Sequence, residues 1–110
     1  MPDVLTPDDG QRISKADAKN WITDYKNKNP DQVWAQFYGS NKLAEMLNQN
    51  ECIGIRIYVT TNATGKNQLV LVGARKDGNN IWPKIDSTDP NADGMILDFG
   101  PLCPPICNID

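Results

Sequence analysis

Eight consecutive residues, 53–60, alternate between branched aliphatic side chains and other types. Successive side chains of a β-strand point to opposite faces, so this pattern predicts a strand with one strongly apolar face. The four β-branched residues on that face are Ile53, Ile55, Ile57 and Val59. A turn-rich segment, residues 61–67, leads into a second apolar run at residues 68–74. The two runs predict a β-hairpin, and its apolar face needs a partner layer.

Two helices are predicted before the hairpin. Ser14 is a suitable N-cap, and apolar residues then recur at helical spacing until Asn29-Pro30, which predicts a helix over about residues 15–28. Gly39-Ser40 begins a second helix that extends to about Gln49. Residues 33–38 fit a strand or a helical turn, and their aromatic and β-branched content favours the strand.

The predicted fold class is α+β, with two helices packed on one face of a small antiparallel sheet in the order α-β-α-β-β-β. The third strand of the hairpin region is expected at Ile81-Trp82, with a further short strand at residues 95–99. Five of the eight prolines lie between residues 83 and 105, which predicts a Pro-rich C-terminal strap. Residues 1–12 are expected to be a flexible lead-in, and residues 13–110 a single domain. The residues expected to pack on the apolar sheet face are Trp21, Tyr25, Leu43 and Leu47.

Composition excludes several classes of function. The chain has no histidine, which removes Ser-His and Cys-His nucleophiles and the commonest metal ligand. The net charge is -3 without a Lys/Arg cluster, so a nucleic-acid partner is not expected. No apolar run approaches the roughly 20 residues that cross a bilayer, and the acidic N-terminus is unlike a secretory signal. A cytoplasmic location without membrane association is therefore expected.

The three cysteines are Cys52, Cys103 and Cys107, and the last two flank a proline pair. Polyproline geometry would place Cys103 and Cys107 roughly 10–12 Å apart. A disulfide between them is then disfavoured, unless the chain turns at Ile106 or one proline is cis. Three interpretations stay open: buried thiols, a disulfide in which Cys52 could pair with either of the other two, or a redox or Zn²⁺ site in which Asp98 or Asp110 is the fourth ligand.

A second candidate metal site lies at residues 89–94. Asp89, Asn91 and Asp93 place oxygen ligands at alternate positions before Gly94, as in the first half of a Ca²⁺-binding loop. Gly100 stands where such a loop has its bidentate glutamate. An ordinary polar turn is therefore the favoured interpretation, and no cofactor is expected.

Four residues are candidates for an interaction face on the side of the sheet away from the helices. They are Trp34, Tyr38, Arg56 and Tyr58, residue types that are enriched at binding hot spots. The alternative is that these aromatic residues pack under the Pro-rich loop.

Several segments resemble a family of small, uncharacterised bacterial proteins with no assigned activity. The resemblance spans about residues 16–107 and is carried by Asn20-Trp21-Ile22, Phe37-Tyr38-Gly39, Cys52-x-Gly54-Ile55-Arg56 and the Cys103-Pro104-Pro105-x-Cys107 ending. It implies a shared design and supplies no catalytic or binding residue.

The favoured function is a small non-enzymatic binding or accessory domain that acts through a protein partner or through self-association. The alternative is a cysteine-centred redox or metal-binding protein that uses Cys52 and the C-terminal Cys-Pro-Pro-Ile-Cys. An enzyme that relies on carboxylates alone is less favoured, because the spacing of Glu45, Glu51, Asp86 and Asp98 indicates no cleft.

Overall fold

The computed structural model of the chain describes residues 4–83 and 94–107. Its elements in chain order are α1 (Lys15–Lys28), β1 (Ala35–Gln36), α2 (Ser40–Leu47), β2 (Gly54–Thr61), β3 (Asn67–Ala74), β4 (Ile96–Leu97) and β5 (Leu102–Cys103). Two helices and a small antiparallel sheet confirm the predicted α+β class.

The hairpin of β2 and β3 is the centre of the fold. It pairs antiparallel from Gly54 opposite Ala74 to Thr61 opposite Asn67, as the alternating pattern predicts. Asn62 closes the turn, because its Oδ1 accepts hydrogen bonds from the backbone N–H of Thr64 at 3.0 Å and of Lys66 at 3.1 Å. β4 pairs with the other edge of β3, so the strand order is β2-β3-β4 and β3 lies in the middle.

The remaining strands differ in part from expectation. The third strand of the sheet is Ile96–Leu97, which lies within the predicted 95–99 segment. The prediction of a strand at Ile81-Trp82 is wrong. At that place only a single bridge joins Asn80 to Ala74, and Pro83 lacks the N–H that would continue a ladder. β1 and β5 form a separate two-stranded sheet, with Ala35 opposite Cys103.

α1 begins and ends where the sequence predicts. The Ser14 hydroxyl accepts a 3.0 Å hydrogen bond from the Asp17 N–H, and the helix ends at Lys28 before the Asn29 C-cap. α2 is shorter than predicted, because it ends at Leu47 rather than near Gln49. α1 buries none of its side chains, whereas α2 buries Met46 completely.

The core is small and lies around β3 and Met46. Its buried apolar residues are Val33, Met46, Leu71, Val72, Ala74, Ile81 and Cys103. Gly73 allows the chain after α2 to approach β3, since a Cβ there would lie 2.7 Å from Gln49 Nε2 and 3.0 Å from Cys52 Sγ. α2 therefore packs beside one end of the hairpin.

The other end of the predicted apolar face is open. Ile57 is 57% exposed and Val59 is 74% exposed, although both were expected to lie under the helices. Of their expected partners, Trp21 is 61% exposed and Leu47 is 46% exposed. The eight residues of α2 are too few to span the whole hairpin, and α1 contributes no buried side chain to this face.

The segment predicted as a lead-in contacts the domain. The backbone N–H groups of Val4 and Leu5 donate to the Lys76 carbonyl oxygen at 2.8 and 3.0 Å. The Asp9 carboxylate accepts from both the Thr6 N–H and its hydroxyl, and the backbone hydrogen bond is the main reason that the pKa of Asp9 is lowered. The flexibility of residues 1–12 stays a prediction.

Candidate functional site

The C-terminal cysteines form a disulfide. Cys103 and Cys107 are bonded, with their Cα atoms 5.1 Å apart, so the expected extended path between them is wrong. The segment instead forms a turn: both X-Pro peptide bonds are cis, and the Ile106 N–H donates to the Leu102 carbonyl oxygen at 3.0 Å. A turn at Ile106 and a cis proline are the two conditions under which the sequence allows a Cys103–Cys107 disulfide.

Cys52 is not bonded to either of the other two cysteines. It is a free, half-buried thiol that donates a 3.2 Å hydrogen bond to the Gly54 carbonyl oxygen. In this structure the other two sulfurs are joined in the disulfide, so the Zn²⁺ interpretation would apply only to the reduced chain and stays a prediction. Within residues 4–83 and 94–107, no three His, Cys, Asp or Glu side chains are grouped so that they could hold a metal ion.

Of the four candidate carboxylates, Glu45, Glu51 and Asp98 each make another contact, whereas Asp86 lies outside the described residues. Glu45 pairs with Lys42 at 3.6 Å, and Asp98 accepts a hydrogen bond from Gln68 Nε2 at 2.5 Å. The Ca²⁺-like residues Asp89, Asn91 and Asp93 lie outside the described residues, so that prediction stays open.

The predicted interaction face is divided between two places. Arg56 and Tyr58 lie on one face of β2, where Asn80 joins them. Arg56 Nη1 donates to Asn80 Oδ1 at 2.7 Å, and Asn80 Nδ2 donates to the Tyr58 hydroxyl at 2.6 Å. Trp82 stacks on Tyr58 with the ring centroids 6.4 Å apart. This half contacts residues 80–82, the segment that follows β3, and packing under the Pro-rich loop stays a prediction.

Trp34 and Tyr38 lie elsewhere, on either side of β1. Trp34 lines an apolar cleft of about 230 Å³, between α1 and the open end of the hairpin. The residues that line this cleft are Tyr25, Val33, Trp34, Ala35, Gln36, Val59, Asn67 and Leu69. Lys26 Nζ lies 4.3 Å from the centroid of the Trp34 ring, a cation–π contact that joins α1 to the cleft wall.

Side chains of residues 32–38 bind the edge of β3 below the cleft, in the place where a strand would otherwise pair. Gln32 Oε1 accepts from the Asn67 N–H at 2.5 Å, and Gln36 Oε1 accepts from the Leu69 N–H at 2.8 Å. The Tyr38 hydroxyl donates to the Leu69 carbonyl oxygen at 2.9 Å. Burial, with a smaller contribution from the Asp98 carboxylate, raises the pKa of Tyr38 to about 12. These bonds hold the cleft wall in a fixed position.

Gln36 leaves one polar group of the cleft wall unsatisfied. Its Oε1 accepts from Leu69, so its Nε2 is the donor end of the amide, and that nitrogen is buried without a hydrogen-bond partner in the described part of the chain. Buried amide donors without an acceptor are uncommon in folded proteins. The sequence contains no pattern that marks Gln32 or Gln36, because glutamine is usually an exposed residue.

An exposed apolar strip continues from the cleft on both sides. We define the strip as Trp21 and Tyr25 on α1 with Ile57 and Val59 on β2. Trp21 is one turn before Tyr25 on the same helix side, and Ile57 is two residues before Val59 on the same strand face. Tyr25 and Val59 both line the cleft, so it joins the two halves of the strip. Such an arrangement can bury apolar surface against another chain.

Comparisons with known proteins do not define a family. No protein-family model, curated protein or solved structure matches this chain. Neither helix in the described residues is long and apolar enough to cross a membrane.

Proposed function

We propose that the chain is a non-enzymatic binding or accessory domain that acts through protein contacts. The observation that carries the proposal is the exposure of Val59, 74%, at the mouth of an apolar cleft and on the eight-residue strand β2. A β-branched residue in such a strand normally lies against another layer. Val59 lacks that layer in the described part of the chain, and a partner would supply it.

The residue types of the strip support protein contact. Aromatic side chains bury a large area for little loss of conformational freedom, and Trp and Tyr are enriched where binding energy concentrates. Burying apolar surface stabilises a complex by about 25 cal/mol per Å² before the costs of association. Lys26 beside Trp34, with Asn67, gives the cleft a polar rim of the kind that surrounds interface cores.

The experiment is site-specific crosslinking in the source cells. A photoreactive residue replaces Trp21 in the strip, and a matched control places it at Glu45, which is exposed on α2. We expect a discrete protein adduct from position 21 and none from position 45. The captured protein is then purified and titrated against wild type and Val59→Asp, and a loss of at least about tenfold in affinity supports the proposal. Equal crosslinking at both positions, or unchanged affinity, contradicts it.

A second candidate function rests on the disulfide. A substrate thiolate that attacks Cys107, which is exposed, would form a mixed disulfide and release Cys103 as the thiolate. This retains the cysteine-centred alternative for the C-terminal segment and leaves Cys52 outside the chemistry. Incubation of the oxidised wild-type protein with a thiol peptide, followed by acid quenching and mass spectrometry of the mixed disulfide on Cys107, tests it. Absence of any adduct excludes exchange at this loop.

Location and family belong to the same proposal. We place the chain in the cytoplasm with a protein partner rather than a nucleic acid, and among the small bacterial proteins that end in Cys-Pro-Pro-x-Cys. Stable disulfides are rare in the cytoplasm, so this location predicts that Cys103 and Cys107 are largely reduced in the cell. Rapid acid quenching, alkylation and mass spectrometry measure the reduced fraction directly.

A further inference from the structure

β2 is an edge strand of the sheet, and its outer edge has regularly spaced backbone groups. The Asn62 N–H bonds the Lys66 carbonyl oxygen at 2.9 Å, and Asn62 lies one residue beyond Thr61, which is opposite Asn67. Residues opposite each other in an antiparallel pair alternate between bonded and non-bonded positions. Even-numbered residues of β2 therefore bond to β3, and odd-numbered residues direct their N–H and C=O groups away from the sheet. Those residues are Ile55, Ile57, Val59 and Thr61.

The contacts of β3 support this assignment. Leu69 lies opposite Val59, and its N–H and C=O bind Gln36 and Tyr38 on the side away from β2. The same edge of β3 is satisfied along its length, since β4 pairs at Leu71 and the Ile81 N–H bonds the Gly73 carbonyl oxygen at 2.8 Å. The two edges of the hairpin therefore differ: that of β3 is occupied, whereas β2 has no strand on its outer side in the described chain.

The open part of β2 is the segment from Ile57 to Thr61. All five of its residues are exposed, whereas the residues from Gly54 to Arg56 are half-buried beside Leu5 and Pro7. Edge strands of soluble proteins are usually protected by charges, prolines, bulges or a covering segment. The segment Ile-Tyr-Val-Thr-Thr contains no charge and no proline, and its register with β3 runs without a bulge.

We propose that the β2 edge pairs antiparallel with β2 of a second copy of this chain. The inference deepens the proposed function and rests on it, since it names the partner of the apolar strip. Two three-stranded sheets would join into one sheet of six strands across a two-fold axis. Odd-numbered residues would lie opposite odd-numbered residues, so Ile57 and Val59 of both copies would form one apolar surface on the same side.

The sequence of the edge is suited to pairing with itself. With Val59 opposite Val59 of the second copy, Arg56 lies opposite Asn62. With Val59 opposite Ile57 of the second copy, Arg56 lies opposite Thr60. In neither register do like charges oppose each other, and like charges directly opposite are what destabilise strand pairs. β-branched and aromatic residues fill the central positions, and these are the residues that pair best across strands.

The test measures self-association in a variant that lacks the outward N–H of Val59. Proline is tolerated on an edge strand when its missing N–H faces away from the sheet, so Val59→Pro should keep the hairpin. Val59→Thr is the matched control, because it keeps the N–H and the β-branched shape. Sedimentation is measured from about 1 µM to about 1 mM, which spans the dissociation constants of weak dimers. We expect wild type and Val59→Thr to reach twice the mass of one chain, and Val59→Pro to stay monomeric.

A pair of oppositely charged variants tests the same contact if the proline variant does not fold. Val59→Lys and Val59→Glu are each expected to be monomeric, and an equimolar mixture is expected to form a dimer. Hydrogen exchange adds a direct readout, because the amides of Ile57 and Val59 should gain protection with concentration while that of Tyr58 stays constant. A monomeric wild type at all concentrations, or a mixture that does not associate, overturns the inference. If a different protein is then crosslinked at position 21, the proposed function still holds.

Discussion

The Tyr38 hydroxyl donates a 2.9 Å hydrogen bond to the carbonyl oxygen of Leu69, 31 residues later in the chain. The side-chain amides of Gln32 and Gln36 bond the same edge of β3. Together these side chains satisfy backbone groups of β3 that would otherwise pair with a neighbouring strand. The wall of the apolar cleft therefore depends on hydrogen bonds as well as on packing.

Stability should fall as the pH rises from 10 to 12, in part because of Tyr38. Its pKa is about 12 in the folded protein, against 10.0 for the unperturbed group. The folded state therefore holds this proton more tightly than the unfolded state, and the resulting stability is complete below pH 10 and is lost between pH 10 and 12. Urea unfolding of wild type and Tyr38→Phe at several pH values measures the effect.

The Tyr38→Phe variant should be less stable than wild type by about 1 kcal/mol at neutral pH, since it loses the bond to Leu69. Between pH 10 and 12 that difference in stability should shrink. Wild type loses stability over this range as the Tyr38 phenol ionises, whereas the variant has no phenol at this position. A constant difference across this range would contradict the role of the Tyr38 proton.

Met46→Ala should lower the free energy of unfolding by about 2–5 kcal/mol, because Met46 is completely buried and its loss leaves a cavity. Leu47→Ala is the matched control one residue later. Leu47 is 46% exposed, and its truncation should cost about 1 kcal/mol or less. Chemical denaturation of the two variants compares them, and similar losses would mean that α2 packs through a different face.

Ser14→Ala should weaken α1 by about 1 kcal/mol, because it removes the acceptor of the Asp17 N–H. Since α1 buries no side chain, we expect the loss to appear as faster amide exchange within α1 rather than as global unfolding.

Ser40→Ala is the control for this substitution. The N-cap of α2 is Gly39, which has no side-chain cap, so Ser40 supplies none and its replacement should leave exchange in α2 almost unchanged. Unaltered exchange of the Asp17 and Ala18 amides in Ser14→Ala would show that the cap contributes nothing.

Reduction of the Cys103–Cys107 disulfide should destabilise the domain by about 2 kcal/mol, the chain-entropy value for so short a loop. The effect should appear as a lower denaturation midpoint in the presence of a reductant. Cys52→Ser separates this effect from the free thiol, and its reductant-dependent shift should equal that of wild type. A shift that disappears in Cys52→Ser would mean that Cys52 takes part in the exchange.

The local elements of the fold could be predicted from the sequence. The hairpin follows from the alternation at residues 53–60 and its turn, and α1 follows from the Ser14 cap and the Asn29-Pro30 stop. These signals act between residues that are near each other in the chain. They identify a strand face as apolar but do not show which half of it is covered, because coverage depends on where α1 and α2 pack.

The candidate site was harder to predict for the same reason. Trp34 was identified as an interaction residue and lines the cleft, whereas Arg56 and Tyr58 are bound by Asn80, a turn residue with no distinguishing signal. Gln36 and Leu69 meet only because the chain brings distant segments together. The Cys103–Cys107 bridge depends on a local turn, which the residue types permit but do not determine.

The pairing of β1 with β5 has a consequence for the order of assembly during protein synthesis. Ala35 lies opposite Cys103, so β1 leaves the ribosome long before its only paired strand in the described chain has been made. The β2–β3 hairpin joins neighbouring segments and can form while translation continues. Until Leu102 and Cys103 emerge, residues 33–38 are held by their hydrogen bonds to β3 and by the contact of Lys26 with Trp34. During that interval Gln36 and Tyr38 would keep the nascent cleft wall in place, and the last strand would complete it.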